Sequence, residues 1–213
     1  MAVNDKKYYV MSYSSVVEGC PESLIGFFNC ETFEWDPFEL DPKRLDIKHQ
    51  YCLKLSSLDM RIDELDFDFY QLGGVYVSRK FLNVCDDLGV SYKAIPLDLS
   101  WRGKVRKGEF FIFLPGESIA ALDKARSVYE VSRDLESGRV LESSLYPGSA
   151  PIDNIDLFVV SAEVEGDLFR CQETLELFCS ERFISYAGGL KGLSFLEVDE
   201  NYKYDPWSEF NEL

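Results

Sequence analysis

The chain is poor in the residues on which most catalytic and metal chemistry depends. Among 213 residues it has one histidine, His49, so any His-based nucleophile mechanism has to use it. Gly116-Glu117-Ser118-Ile119-Ala120 approaches the Gly-x-Ser-x-Gly elbow of hydrolases. In that fold the histidine follows the serine along the chain, and none follows Ser118. The segment reads instead as a turn after a strand. His49-Gln50-Tyr51-Cys52 offers two zinc ligands, where a structural site takes four and a catalytic site three. Gly73-Gly74 and Gly188-Gly189 lack the spacing of a dinucleotide or Walker loop. These absences predict a non-enzyme: no catalytic residue, no cofactor and no metal.

Basic residues are also scarce. Twenty-two Lys and Arg stand against 38 Asp and Glu, a net charge of −16. Nucleic acid is bound through clustered cations that neutralise phosphates, so the sequence predicts no nucleic-acid partner. An acidic surface instead speeds the approach of a basic partner; it also keeps a protein soluble. No run approaches 18 apolar residues, so no membrane span is expected. Residues 1–30 lack a charged segment followed by an unbroken apolar one, which predicts a cytoplasmic protein. The six cysteines, at 20, 30, 52, 85, 171 and 179, form no Cys-x-x-Cys pair. They read as reduced core residues.

What is present is a globular composition, 46% hydrophobic and 15% aromatic, and a block that occurs twice. Val75-Tyr76-Val77-Ser78-Arg79-Lys80-Phe81 is echoed by Leu177-Phe178-Cys179-Ser180-Glu181-Arg182-Phe183. Each copy follows an acidic-aromatic lead-in, Asp66-Phe67-Asp68-Phe69 or Asp167-Leu168-Phe169. Each precedes a glycine, Gly89 or Gly189, and then an apolar run at 92–97 or 193–198. Ser78 and Ser180 suit helix N-caps, whose hydroxyl accepts from a backbone N–H of the first turn. Apolar residues at 81, 82, 84, 85 and 88 have helical spacing, and Gly89 suits the left-handed residue that closes a helix. The copies differ in spacing, and no shorter repeat runs through the chain. Pro96 points to an edge strand or a strand end.

The expected fold class is α+β: a mainly antiparallel or mixed β-sheet with a few short helices and two similar strand–helix–strand units. Strands are expected at 8–13, 24–28, 51–55, 109–114 and 157–160. Residues 101–108 read as a polar turn and the one dense basic patch. Residues 119–131 fit either a helix or an extended passage. Residues 31–46, rich in acids and proline, read as a surface loop over Trp35 and Phe38. The chain is expected to be a single domain, 1–213. Lobes at 1–65 and 66–198 and an acidic-aromatic tail at 199–213 are its natural subdivisions.

Several of these residues resemble a known family. Tyr8-Tyr9-Val10-Met11-Ser12, the 110–114 strand with Ala121-Leu122-Asp123 and Ser127, and the closing block carry the likeness. The closing block comprises 155–160, Asp167-Leu168-Phe169-Arg170, Cys179-Ser180-Glu181-Arg182-Phe183 and Gly192-Leu193-Ser194-Phe195. Together they resemble family eleven of the immunity proteins of bacterial polymorphic toxin systems, the kind associated with contact-dependent and type VI secretion. The resemblance is best over 66–198. The 31–46 loop and the tail have no counterpart in it.

The resemblance implies a cytoplasmic antitoxin that binds a cognate toxin and blocks its active site or an essential surface. It carries over no catalytic residue. The acidic surplus fits a basic, nuclease-like toxin. Two zones are candidate contacts: Asp63, Glu64, Asp66 and Asp68, and in the tail Asp199, Glu200, Tyr202, Tyr204, Asp205 and Trp207. The first zone also reads as a solvated strand edge, and the tail aromatics also read as pins that hold the C-terminus on the core. The alternatives are an enzyme that reverses a toxin-made modification, or a regulatory or scaffold module.

Overall fold

The computed structural model describes residues 6–57 and 65–207. In chain order its elements begin with β1 (Tyr8–Tyr13), β2 (Ile25–Phe28), β3 (Tyr51–Ser57), β4 (Phe69–Gln71) and β5 (Val75–Ser78). Helix α1 (Arg79–Leu88), β6 (Tyr92–Trp101), β7 (Lys104–Pro115), β8 (Ser118–Ile119) and β9 (Val128–Val131) follow. The chain continues through β10 (Ile152–Leu157), β11 (Leu168–Cys171), β12 (Leu177–Ser180), α2 (Glu181–Tyr186) and β13 (Leu193–Glu197). The class is α+β, dominated by strands. Pairing is mostly antiparallel, with parallel contacts between β3 and β6 and between β11 and β8. No helix among the described residues is long and apolar enough to cross a membrane.

The described chain forms two compact units, both discontinuous in sequence. One takes the chain up to Val10, Ser118–Glu181 and the chain from Leu196; the other takes Met11–Glu117 and Arg182–Phe195. These boundaries differ from a division at 65/66 and 198/199.

The second unit is built on a six-stranded sheet of order β2-β3-β6-β7-β5-β4. Strand β7 explains its two-sided burial. Phe110, Ile112 and Leu114 alternate onto one face, where they join Tyr51, Leu53 and Leu97 in a core. Phe111 and Phe113 point the other way, under α1: Phe81 meets Phe113 edge to face at 5.4 Å, and the Arg79 guanidinium lies 4.1 Å over the Phe111 ring. A strand covered on both faces reads as the unbroken apolar run seen at 110–114.

Helix α1 starts and stops where its capping residues dictate. Ser78 Oγ accepts from the N–H groups of Lys80 at 3.1 Å and Phe81 at 3.3 Å. Gly89 has φ +69°, and the Val90 N–H returns to the Cys85 carbonyl at 2.8 Å. The Ser78 hydroxyl also donates to Asp68 Oδ1 at 2.6 Å. Ser78→Ala should therefore cost more than an ordinary cap, about 2 kcal/mol rather than ~1. Urea unfolding of the variant checks this; a loss under ~0.5 kcal/mol would mean that water replaces the hydroxyl.

Three expectations need correction, and the open choice at 119–131 is decided. Pro96 lies inside β6, a central strand, opposite Phe111. Strand β3 pairs with β6 only from Leu97 onward. At Pro96 one flank of the strand is open, and the missing N–H is accommodated there. Residues 101–108 are not one polar turn. Arg102 (φ +48°) and Gly103 (φ +75°) alone make a two-residue hairpin turn, and residues 104–108 are already part of β7. Residues 119–131 are extended, through β8 and β9, with a turn at 123–126. Strand β10 ends at Leu157, and Val160 makes an isolated bridge to Leu122 instead.

The first unit holds a five-stranded sheet of order β13-β1-β12-β11-β8, to which β1 and β13 each contribute one end, and the two-stranded pair β10-β9. Tyr8, Phe158, Phe169, Phe178 and Tyr202 are central to its core. The Tyr202 hydroxyl donates to Glu176 Oε2 at 2.5 Å. Burial pushes the Glu176 carboxyl above its ordinary range, against the opposing effects of the Tyr202 and Thr174 hydrogen bonds. A raised folded-state pKa means that the folded chain holds this proton more tightly than the unfolded chain. The stability that this group contributes is then fully present below the ordinary glutamate pKa of about 4.3 and is lost as pH rises through the folded value. Glu176→Gln keeps an acceptor for Tyr202 and removes the ionisation. It should raise the thermal midpoint of this unit at pH 7 and flatten its pH dependence above pH ~4.3. Equal midpoints for both proteins from pH 4 to 8 would show that Glu176 ionises freely.

Candidate partner-binding surface

The residues singled out from sequence fall into both units. Asp63 and Glu64 lie outside the described residues. Asp66 is on the surface, paired with the Lys191 ammonium, and that hydrogen bond holds its carboxyl below the usual aspartate range. Asp68 is only 2% exposed. Its Oδ1 accepts the Ser78 hydroxyl, its Oδ2 accepts the Lys191 backbone N–H at 2.9 Å, and Lys80 Nζ lies 3.9 Å away. Burial takes Asp68 off the candidate surface and makes it a structural bolt. A cleft of about 250 Å³ opens beside it, lined by Asp66, Arg79, Lys80, Arg106 and Glu109. Its charges are largely internally matched: Arg106 bonds Glu109 at 2.5 Å and the Leu65 carbonyl.

In the tail, Asp199, Glu200, Asp205 and Trp207 are exposed, and Tyr204 is half-buried. Tyr204 exchanges backbone hydrogen bonds with Ile155 at 2.8 and 3.0 Å. The Asn201 backbone N–H donates to Asp199 Oδ1 at 2.8 Å and holds that carboxyl below its usual range. Tyr202 is buried and bonded to Glu176. It is one of the pins that fix the tail, and burial removes it from the candidate surface too.

The stronger surface lies in residues 16–42 of the second unit. This stretch holds seven acids and no Lys or Arg. Among the described residues, seven large apolar side chains between positions 16 and 40 are left exposed, including Val16 at 91%, Ile25 at 55% and Phe27 at 73%. Ile25 and Phe27 share one face of β2, and Phe28 on the other face packs into the core. Most exposed apolar residues are scattered singly and need no explanation. Ile25 and Phe27 are different, because they stand together on one exposed face of β2 within an acid-rich segment, and apolar patches rimmed by charge are interaction sites.

The surrounding loop is held in place by specific bonds. Glu34 Oε2 accepts N–H groups from Lys48 at 3.1 Å and His49 at 2.9 Å and the Tyr51 hydroxyl at 3.2 Å. The His49 and Lys48 backbone bonds, His49 first, lower the Glu34 pKa despite its partial desolvation. Trp35 packs edge-on to Tyr51 at 4.9 Å, and Lys93 Nζ donates to the Leu45 carbonyl at 3.0 Å. Asn29 ties down the start of β3 through both ends of its amide, donating to the Gln50 carbonyl just before the strand at 2.8 Å and accepting from the Cys52 N–H at 2.9 Å. A loop ordered in this way loses little entropy when a partner settles on it.

The residues with catalytic potential have structural surroundings. Ser118 is on β8, opposite Arg170, and accepts the Tyr146 hydroxyl at 3.2 Å. Gly116 before it is required by packing, since a Cβ there would sit 2.2 Å from Ser91 Oγ and 2.7 Å from the Ser91 backbone. His49 is exposed and rests edge-on against Tyr51. All six cysteines are free thiols, and burial raises the pKa of Cys20, Cys85, Cys171 and Cys179. Among the described residues no group of three His, Cys, Asp or Glu side chains is arranged to hold a metal ion.

No protein-family model matches the chain. No curated protein matches it either.

Proposed function

We propose that this protein is a cytoplasmic antitoxin that neutralises a basic bacterial toxin, nuclease-like in charge, by one-to-one occlusion. One observation carries the reading: the 16–42 segment sets exposed Ile25 and Phe27 among seven acids with no base between them. An apolar centre with charged surroundings supplies what a tight, steered complex needs. Buried aromatic anchors provide affinity, and the charge raises the encounter rate. The resemblance of 66–198 to polymorphic-toxin immunity proteins supports the same reading.

Titration of the purified protein against a purified cognate toxin tests it. Toxin activity should fall linearly to zero at an equivalence point near one to one. Protection at a small fraction of the toxin concentration would replace occlusion with enzymatic reversal of the toxin's damage.

The fold itself supports a finer reading, that β4-β5-α1-β6 and β11-β12-α2-β13 are two versions of one strand–helix–strand module. In each, an aspartate before the hairpin accepts the hydroxyl of the serine that ends it, Asp68 from Ser78 and Asp167 from Ser180, both at 2.6 Å. In each, that serine's N–H also donates to the same aspartate's carbonyl, at 2.9 and 3.0 Å. The strand orders β4-β5-β7-β6 and β11-β12-β1-β13 both place one strand between the hairpin and the strand after the helix. Phe81 and Phe183, each three residues after its serine, touch each other at 5.8 Å.

A further inference from the structure

From the geometry of β2 we infer the docking mode: a basic, extended segment of the partner adds as a seventh strand along the open edge of the six-stranded sheet. The inference rests on the proposed role as a toxin inhibitor and specifies how that partner is held. Among the described residues strand β2 is terminal in the sheet order and pairs with β3 alone. Its register gives Gly26↔Leu55, Phe27↔Lys54 and Phe28↔Leu53. The Asn29 N–H donates to the Cys52 carbonyl at 3.1 Å. Backbone groups alternate along an antiparallel ladder, so Phe27, two residues earlier, also turns its N–H toward β3. Gly26 and Phe28 therefore direct their N–H and C=O away from β3, at the free edge.

Short length and charged or inward-turned side chains are the usual protection of such an edge. Strand β2 is short, but it presents Ile25 and Phe27 to solvent beside that edge. A partner strand placed there gains main-chain hydrogen bonds from the edge and side-chain contacts from the two apolar residues. Charge selects the occupant. Glu18 and Glu31, on either side of β2 in sequence, are exposed, and residues 16–42 carry no base. Lys54 stands on β3, on the far side of β2 from the opening. An added strand lies two strand spacings from it, about 10 Å, roughly one Debye length at physiological salt. The favoured segment alternates basic and apolar residues.

The probe is a blocked nine-residue peptide of alternating Lys and Val. Two comparators accompany it: the same peptide with Glu for Lys, and the same peptide N-methylated on the amides of one edge. Each is titrated into the 213-residue protein at physiological salt, with calorimetry and NMR amide exchange as readouts. The Lys-Val peptide should bind and slow exchange at Gly26 and Phe28 at least tenfold, and neither comparator should do so. Ile25→Lys/Phe27→Lys, which changes only exposed side chains, should weaken binding tenfold or more. Leu135→Lys, at a fully exposed position of the other unit, should leave it unchanged. Absent protection at Gly26 and Phe28, or equal binding of the N-methylated peptide, overturns strand addition. That result leaves the one-to-one titration of the toxin untouched. Conversely, strand addition without inhibition overturns the toxin reading and leaves this edge in place.

Discussion

Phe81→Ala should lower the unfolding free energy of the second unit by about 4 kcal/mol, the largest single effect expected in this chain. Phe81 has no exposed surface. Its ring meets Phe69 at 5.6 Å, Phe113 at 5.4 Å and Phe183 at 5.8 Å. Three elements, β4, β7 and α2, thus use the same ring as their common neighbour. Removing it opens a cavity that none of the three can fill without leaving its own backbone position. The loss combines transfer of the ring, an unfilled cavity and three aromatic contacts of about 0.5–1.5 kcal/mol each, and these overlap rather than add. Phe81→Leu refills most of the volume and should cost about 1.5 kcal/mol. Urea unfolding followed by tryptophan fluorescence reads this unit directly, because Trp35 and Trp101 both pack on its core. Similar losses for Ala and Leu would mean that ring shape, and not filled volume, decides the packing.

Asp68→Ala should cost about 3 kcal/mol. The carboxylate is buried and accepts from the Ser78 hydroxyl and the Lys191 N–H at once. Truncation leaves both half-buried donors without their acceptor beside a cleft that water only partly enters, at about 1–3 kcal/mol each. Asp68→Asn tests the assignment further. The amide has one oxygen, so it satisfies one donor and sets an N–H against the other; a loss midway between wild type and alanine is expected. Asp68→Ala and Ser78→Ala share a bond, so the double variant should lose at least 1 kcal/mol less than the sum of the singles. Additive losses would show that the hydroxyl and the carboxylate act independently. Both measurements use the same fluorescence-detected unfolding.

How much of this was legible in the sequence depended on how local each cause was. Ser78 and Gly89 delimit α1 through bonds within a few residues, and the helix is found at Arg79–Leu88 as its caps require. Strand β1 likewise follows from its own short run of aromatic and apolar residues. Pro96 misled because its tolerance depends on where β3, some forty residues earlier, begins to pair. The basic stretch at 101–108 resembled a loop by composition, yet two consecutive positive-φ residues suffice for the turn.

The candidate surface was harder for a related reason. Asp68 looks like one more member of an acidic run, and only its distant partner Lys191 reveals its burial. Phe27 and Phe28 are chemically identical neighbours, and nothing local says which of them the core will cover. A signal was available, however: residues 16–42 combine several large apolar side chains with a complete lack of Lys and Arg.

The discontinuity of the first unit has a consequence for biosynthesis. Tyr8 and Tyr202 belong to the same buried cluster, yet they stand 194 positions apart (202 − 8) in the sequence. The ribosome must release both residues and all of the chain between them before that cluster closes, so this unit completes long after its first strand is made. Until then its earliest strand waits with its apolar side chains uncovered, and a message that stops short of Tyr202 yields a chain fit for proteolysis rather than for protection.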